Sequence, residues 1–382
     1  MKILILTAST GGGHKSAAAA LMDTIQKTDS DTIVEIEDGL KYCGKLYNKL
    51  ICNGYVVLAT KTPSLYGKLY KVSDRKSTIN SLCNNINNRE GKKLISLFEK
   101  KKPDVVISCH AFVTTMLAML KRKNKISVPV ISLITDFAPH RTYFAPGIDA
   151  YVTSNENMLE EIESYNIISA DKIYSFGIPI ADKFYKTQDK EQIANELGFD
   201  INKPTVLLMS GSFGVSEVLD FYESLMLTDV DCQCIVITGH NKKLYNEFKK
   251  YLSNPDVSQK PTRLFGFITN IEEYMHFSDL VVTKPGGLTV SESLACALPM
   301  AIYNAIPGQE NENAQYLINE NVAVSLNDAK SGGQQIAKLI KNMEKLNTMR
   351  ENCKKIRKLN SALNIFRLAQ NLVEKSQNKK KI

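Results

Sequence analysis

Two short stretches place glycines, hydroxyls and ionisable side chains where a parallel sheet would use them on a phosphorylated substrate. The first is Ser9-Thr10-Gly11-Gly12-Gly13-His14-Lys15-Ser16. It follows five residues of buried-strand character, 3–7, and runs into an alanine-rich helical pattern. The second, Lys284-Pro285-Gly286-Gly287-Leu288-Thr289, follows a strand ending at Thr283 and precedes a helix expected to begin near Leu288 or Thr289. Unpaired N–H groups at a helix start, with the positive end of the helix dipole, receive phosphate oxygens. Glycine removes the Cβ that would block close approach. Thr289 or Ser291 could cap this second helix or donate to phosphate. Glu292, about one turn in, could accept from the two hydroxyls of a ribose. A plain turn with Lys284 exposed is the ordinary alternative. His14 is a different kind of group. A helix N-terminus disfavours imidazolium, so His14 is expected to stay neutral and able to take a proton near pH 7.

The elements around these stretches alternate between strand and helix twice over. Strands are expected at 3–7, 32–36, 105–108, 130–134 and 150–153, then again at 205–209, 234–238, 263–265, 280–283 and 300–303. Helical patterns stand between them, for example at 16–26, 114–122, 217–226, 243–251 and 290–297. Such alternation builds parallel sheets from right-handed βαβ units. At 382 residues the chain is long enough for two such domains. The expected division is 1–180 and 200–360, with a linker near 178–200. A final helix in 361–382 could pack back on the first domain. Two doubly wound domains facing each other would set their ligand-binding strand ends across one cleft.

Composition narrows the class of protein. No apolar stretch is long enough to span a membrane; the best, 105–120, is broken by Ser108, His110 and two threonines. The first strand is too short for a signal-peptide core, so a cytoplasmic protein is expected. The eight cysteines form no C-x-x-C pair, which argues for reduced structural thiols and no metal site. Asp29-Ser30-Asp31 reads as turn chemistry, not as a metal dyad. The net charge of +8 is uneven: 45–76 holds Lys45, Lys49, Lys61, Lys68, Lys71, Arg75 and Lys76 against Asp74 alone. Tyr47, Tyr55, Tyr66 and Tyr70 are interleaved with aliphatic residues there. That mixture suits an anionic membrane surface, or else the solvated face of ordinary helices. No nucleic-acid-binding motif appears.

Four stretches in one order give the chain a specific resemblance: T-A-S-T-G-G-G-H from Thr7, V-I-S-L-I-T-D-F-A-P-H from Val130, K-P-G-G-L-T-V-S-E-S from Lys284 and P-G-Q-E-N-E-N-A from Pro307. The sequence resembles glycosyltransferase family 28, in its branch of monogalactosyldiacylglycerol synthases and processive diacylglycerol glucosyltransferases. The resemblance implies an α/β fold of two facing Rossmann-like domains, the GT-B architecture, with a UDP-sugar bound in the second. Gly211 and Ser212 then match a turn near the diphosphate, and Gly266, Phe267 and Ile268 the segment whose backbone reads uracil. Gly286, Gly287, Leu288 and Thr289 match the diphosphate turn, Glu292 the ribose ligand, and Gln309 with Glu310 the residues holding the hexose. On the acceptor side, His14 matches the catalytic base, and Gly12 and Gly13 would clear space for the acceptor and the transferred sugar. His140 is a further acceptor-side residue. Tyr143 stands near the place of a tryptophan that many relatives carry and this chain lacks.

Asp136, at the end of a strand, could orient His14, bind the acceptor hydroxyl or cap a turn. His110, His240 and His276 read as structural. The expected reaction moves glucose or galactose from UDP to diacylglycerol with inversion, without a metal or other cofactor, on the inner face of the cell membrane. Three other functions fit the same pattern: N-acetylglucosamine transfer to a lipid-linked peptidoglycan precursor, UDP-sugar epimerisation, and a nucleotide-sugar sensor without turnover.

Overall fold

The structure is a computed structural model that describes residues 1–8, 12–44, 62–74, 89–210, 217–257 and 259–381. Its first six strands are β1 (Lys2–Thr7), β2 (Ile33–Asp38), β3 (Val105–Ser108), β4 (Val130–Leu133), β5 (Ala150–Val152) and β6 (Ile173–Tyr174). They form one sheet in the order β2-β1-β3-β4-β5-β6, with every pair parallel. The next six are β7 (Thr205–Met209), β8 (Gln233–Ile237), β9 (Thr262–Phe265), β10 (Leu280–Thr283), β11 (Met300–Ile302) and β12 (Ala323–Ser325). They form a second parallel sheet in the order β12-β11-β10-β7-β8-β9. Central strands are buried on both faces, as Ile3-Leu4-Ile5-Leu6 and Leu280-Val281-Val282 show. That double burial is why they read as unbroken apolar runs without alternation.

The chain divides into two compact units: Met1–Asp182 with Ile306–Glu312 and Lys358–Ile382, and Lys183–Ala305 with Asn313–Arg357. The stretch 178–200, read above as linker, carries a helix, Lys190–Leu197. Asp189 caps it, and Ile193, Ala194 and Leu197 are buried. In the first unit the final helix, Ser361–Lys381, packs against the helix Gly13–Thr28. Ala17, Ala18 and Ala20 of the latter are buried, and Ser361 Oγ donates to the Gly177 carbonyl at 2.7 Å.

The second unit owes a tighter approach to glycine. The helix Ala329–Lys341 lies so close to the helix Glu217–Met226 that a Cβ on Gly333 would fall 2.2 Å from the Ser224 carbonyl carbon. Main chain cannot step aside as a side-chain tip can. Gly333→Ala is therefore expected to cost about 2 kcal/mol net, since overpacking outweighs the ~1 kcal/mol that alanine gains as a helix former. A urea midpoint equal to or above that of the unaltered protein would refute this.

Candidate functional site

In both sheets the strand order reverses at the first strand, between β1 and β3 and between β7 and β10. Ligands of open α/β sheets bind beyond the strand C-termini at such reversals. In the first unit the segments leaving β1, β3 and β4 bring His14, His110 and Thr135 together. Gly12 is the N-cap of the helix Gly13–Thr28, which puts His14 in its first turn. His14 Nδ1 lies 3.1 Å from Thr135 Oγ1, and its ring meets that of His110 edge-on with centroids 5.0 Å apart. The His14 pKa is pushed down to about 4. Burial is the main cause and a main-chain hydrogen bond at Cys109 acts against it. Sequence reasoning assigned the neutral form to the helix dipole; desolvation is the larger effect. The His110 pKa is held well below its ordinary value by burial and by His14, and its Nδ1 accepts the Phe112 N–H at 3.3 Å, capping the helix Ala111–Arg122.

Asp136 follows Thr135 and is buried. Its carbonyl accepts from Ser154 Oγ at 2.8 Å, and its Oδ1 accepts from Gln309 Nε2 at 3.2 Å. Thr135, which sequence reasoning passed over, lies within hydrogen-bond distance of His14; a threonine after a strand carries no distinguishing signal. His140 caps the short helix Arg141–Tyr143 through Nδ1, while Nε2 meets the Tyr70 carbonyl at 3.2 Å and Ser73 Oγ at 3.3 Å. It is anchored in the packing of the helix Pro63–Ser73. Tyr143 packs in the hydrophobic core of the first unit with Met116, Met119 and Ile148.

In the second unit the turn after β10 is built for close approach. Gly286 is the N-cap of the helix Gly287–Ala295, so the helix begins slightly earlier than the sequence suggested. No described side chain caps it, and a Cβ on Gly286 would meet nothing within 4 Å. Ser291 Oγ is committed to the Gly287 carbonyl at 2.8 Å and does not cap. Lys284 is buried, contrary to the ordinary exposed-turn alternative. Asn313 Nδ2 braces the turn by donating to the Pro285 carbonyl at 3.0 Å. Gly287, Leu288 and Thr289 supply the first-turn N–H groups, with no acidic side chain beside them. The region can receive an anion.

Glu292 lies on the same helix. Burial raises its pKa to about 8, the nearby Glu272 adds to the rise, and Lys183 opposes it. Lys183 Nζ is paired with Glu272 at 2.6 Å. Past β8 and β9, the exposed Phe267 ring stacks on His240 with centroids 4.2 Å apart and planes 12° from parallel; Ile268 follows, partly buried. His276 lies against the Phe184 carbonyl at 3.0 Å. Gly211 and Ser212 lie outside the described residues.

The segment 306–312, a turn at Pro307-Gly308 running into the helix Gln309–Asn319, groups with the first unit. Gln309 Oε1 accepts from Tyr66 Oη at 3.3 Å, Glu310 accepts the Ile306 N–H at 2.9 Å, and Glu312 accepts from Tyr70 Oη at 2.7 Å. Burial, foremost, raises the Glu312 pKa to about 7. Among the described residues no helix is long and apolar enough to cross a membrane.

Comparison with known proteins agrees with this geometry. Residues 14–180 match the family described as monogalactosyldiacylglycerol (MGDG) synthase, and residues 205–373 match the glycosyltransferase family 28 C-terminal domain. A processive diacylglycerol beta-glucosyltransferase of Bacillus cereus is 32% identical over 387 residues, covering 98% of this chain and 95% of that one. Among solved structures, MurG of Acinetobacter baumannii superposes with a TM-score of 0.62 at 14% identity, covering 97% of this chain and 99% of that one. Anabaena Alr3699/HepE in complex with UDP-glucose gives 0.56 at 14% identity, covering 99% and 100%. Both likenesses establish the fold, two Rossmann-like domains of GT-B type. The chain belongs to glycosyltransferase family 28, in the branch that holds the monogalactosyldiacylglycerol synthases and the processive diacylglycerol beta-glucosyltransferases.

Proposed function

We propose that the protein transfers a hexose, glucose or galactose, from a UDP-sugar to diacylglycerol at an anionic membrane surface, with inversion at the anomeric carbon. The observation that carries the reading is the pair of differently tuned groups: a neutral His14 held by Thr135 in one unit, and a capless glycine turn with a buried Lys284 in the other. His14 takes the proton of the acceptor hydroxyl as its oxygen attacks the anomeric carbon, and the bond to the diphosphate breaks on the opposite side. The leaving UDP gathers negative charge, which the N–H groups of Gly287, Leu288 and Thr289, the helix dipole and Lys284 stabilise. Glu292 accepts from the ribose, Phe267 and Ile268 meet the uracil, and Gln309 and Glu310 hold the hexose. Gly12 and Gly13 leave room for the acceptor beside His14. Asp136, which accepts from Gln309 Nε2, acts on the sugar's holder. Relatives named for diacylglycerol glucosyl transfer and a fold shared with a UDP-glucose complex support the choice of substrates.

No metal or other cofactor enters this scheme. The membrane contact is assigned to 45–76, of which only 62–74 fall within the described residues. In that part Lys68 and Lys71 are exposed beside Leu65, Leu69 and Val72, a basic and apolar face suited to lipid headgroups.

The test incubates purified protein with diacylglycerol in anionic vesicles and each UDP-hexose, with and without a chelator, and identifies the glycolipid. A β-linked hexosyldiacylglycerol formed equally well in chelator is expected. Changing Lys61, Lys68 and Lys71 to Glu should release the protein from the vesicles. Free UDP-hexose converted to an epimer, with no lipid product, would sink the proposal.

A further inference from the structure

The helix Pro63–Ser73 carries its aliphatic side chains outward and its tyrosines inward. Leu65, Leu69 and Val72 are exposed, whereas Gly67 is buried and Tyr66 and Tyr70 partly so. The inward face lies on the segment 306–312 of the same unit, the turn at Pro307-Gly308 and the start of the helix Gln309–Asn319. A Cβ on Gly67 would come within 2.7 Å of Pro307 Cβ. One on Gly308, whose φ of +105° already favours glycine, would come within 2.9 Å of the Tyr70 ring. The helix and the turn are therefore about as close as main chain permits. Tyr70 is fixed from behind by the His140 ring, with centroids 4.2 Å apart.

Across this contact the Gln309 amide is gripped at both ends. Its nitrogen donates to Asp136 Oδ1 at 3.2 Å, and its oxygen accepts from Tyr66 Oη at 3.3 Å. A carboxylate only accepts, so the amide nitrogen must face Asp136 and the oxygen must face Tyr66. One N–H and one lone pair of the amide are left over, pointing in fixed directions.

We propose that Tyr66 is a positioning residue for the donor sugar: with Asp136 it locks the Gln309 amide in one orientation, so that Gln309 offers the hexose a fixed donor and a fixed acceptor. The inference rests on the reading of Gln309 as a hexose ligand given above. It goes beyond that reading by assigning a donor-side task to a helix that lies in the basic, tyrosine-rich segment. Loss of the tyrosine hydroxyl leaves the amide held at its nitrogen alone, by Asp136, so its oxygen is no longer fixed, and binding of the hexose weakens while binding of the nucleotide does not.

Calorimetric titration of the full chain with UDP, UDP-glucose and UDP-galactose tests this in Tyr66→Phe, Gln309→Ala and the double variant. Phenylalanine keeps the ring packing, and a thermal midpoint checks the fold. Tyr66→Phe is expected to weaken the better-bound UDP-hexose about 3–10-fold, the size of one lost hydrogen bond, while the UDP dissociation constant stays within about twofold. The double variant should be no weaker than Gln309→Ala alone, because Tyr66 acts only through that amide. Parallel loss for UDP and UDP-hexose, an unchanged UDP-hexose affinity, or multiplying losses in the double variant would overturn the inference alone. An unaltered protein that binds neither UDP nor a UDP-hexose would overturn the functional reading as well.

Discussion

Replacing His14 with alanine should lower the turnover number for hexose transfer about 10³-fold while leaving the UDP dissociation constant within about twofold. The magnitude is that of a positioned general base, 10²–10⁴, or about 3–5 kcal/mol of barrier. The selectivity follows from where the residue sits. His14 opens a helix of the first unit, against Thr135 and His110, whereas the groups assigned to the nucleotide belong to the second unit. With a pKa near 4 it is unprotonated at pH 7, so the loss comes from removing a base and not from removing a charge. Thr135→Val should produce a smaller fall, about 3–10-fold, because it removes one hydrogen bond that holds the ring. Transfer at the full rate by the alanine variant, measured by glycolipid formation at saturating UDP-hexose, would eliminate His14 as the base. A matching loss of UDP affinity would turn it into a structural residue.

The second large effect concerns a proton. Burial holds the Glu292 carboxyl up to about 8, so its neutral form predominates at pH 7. Two ribose hydroxyls donating to it would favour the carboxylate and draw the pKa down. Donor binding at pH 7 should therefore release close to one proton, and UDP-hexose affinity should rise with pH until about pH 8. A UDP-hexose is esterified at both ends of its diphosphate and has no proton of its own to lose near neutrality. Titrations in two buffers of different ionisation enthalpy count the released protons directly. Glu292→Gln should abolish the release, flatten the pH dependence and weaken donor binding about 10–100-fold at pH 8, since hydrogen bonds to a charged acceptor are lost. The same shift has a stability consequence of fixed sign. The folded state holds a proton that the unfolded chain gives up at about 4.5, so ionised Glu292 destabilises the fold as pH rises from there towards 8. Glu292→Gln should raise the thermal midpoint at pH 9 and leave it unchanged at pH 4. No proton release by the unaltered protein would dismiss Glu292 as the ribose ligand.

Much of this fold was legible because its central strands are buried on both faces, and long apolar runs bounded by glycine or proline have few other readings. The ten strands expected from sequence all appear, with ends moved by a residue or two. The two that were missed, Ile173–Tyr174 and Ala323–Ser325, are edge pieces of two and three residues. Partly exposed and that short, they carry no periodicity to detect. The helix Lys190–Leu197 reads as linker because its sequence is polar; only Ile193, Ala194 and Leu197 turn inward.

The site divides in the same way. Glycine turns and the histidine could be read because backbone geometry dictates residue type at those places. Thr135, Tyr66 and Asn313 could not, since their partners, His14, Gln309 and the Pro285 carbonyl, are respectively 121, 243 and 28 residues away. The cause of a neutral His14 was equally hidden. A helix start is visible in sequence, whereas desolvation depends on what the rest of the unit packs around it.

The interrupted first unit also constrains how the molecule can be made. Its helix Gly13–Thr28 waits for a partner, Ser361–Lys381, that leaves the ribosome more than three hundred residues later. By then nearly all of the second unit has been synthesised and is free to fold as a local βα array. The part of the helix Gly13–Thr28 that this partner covers is thus left without its cover until the end of synthesis. Cutting the chain between Asp182 and Lys183 would not yield two whole domains. It would leave the amino-terminal piece without its closing helix and the carboxy-terminal piece carrying that helix with nothing to seal.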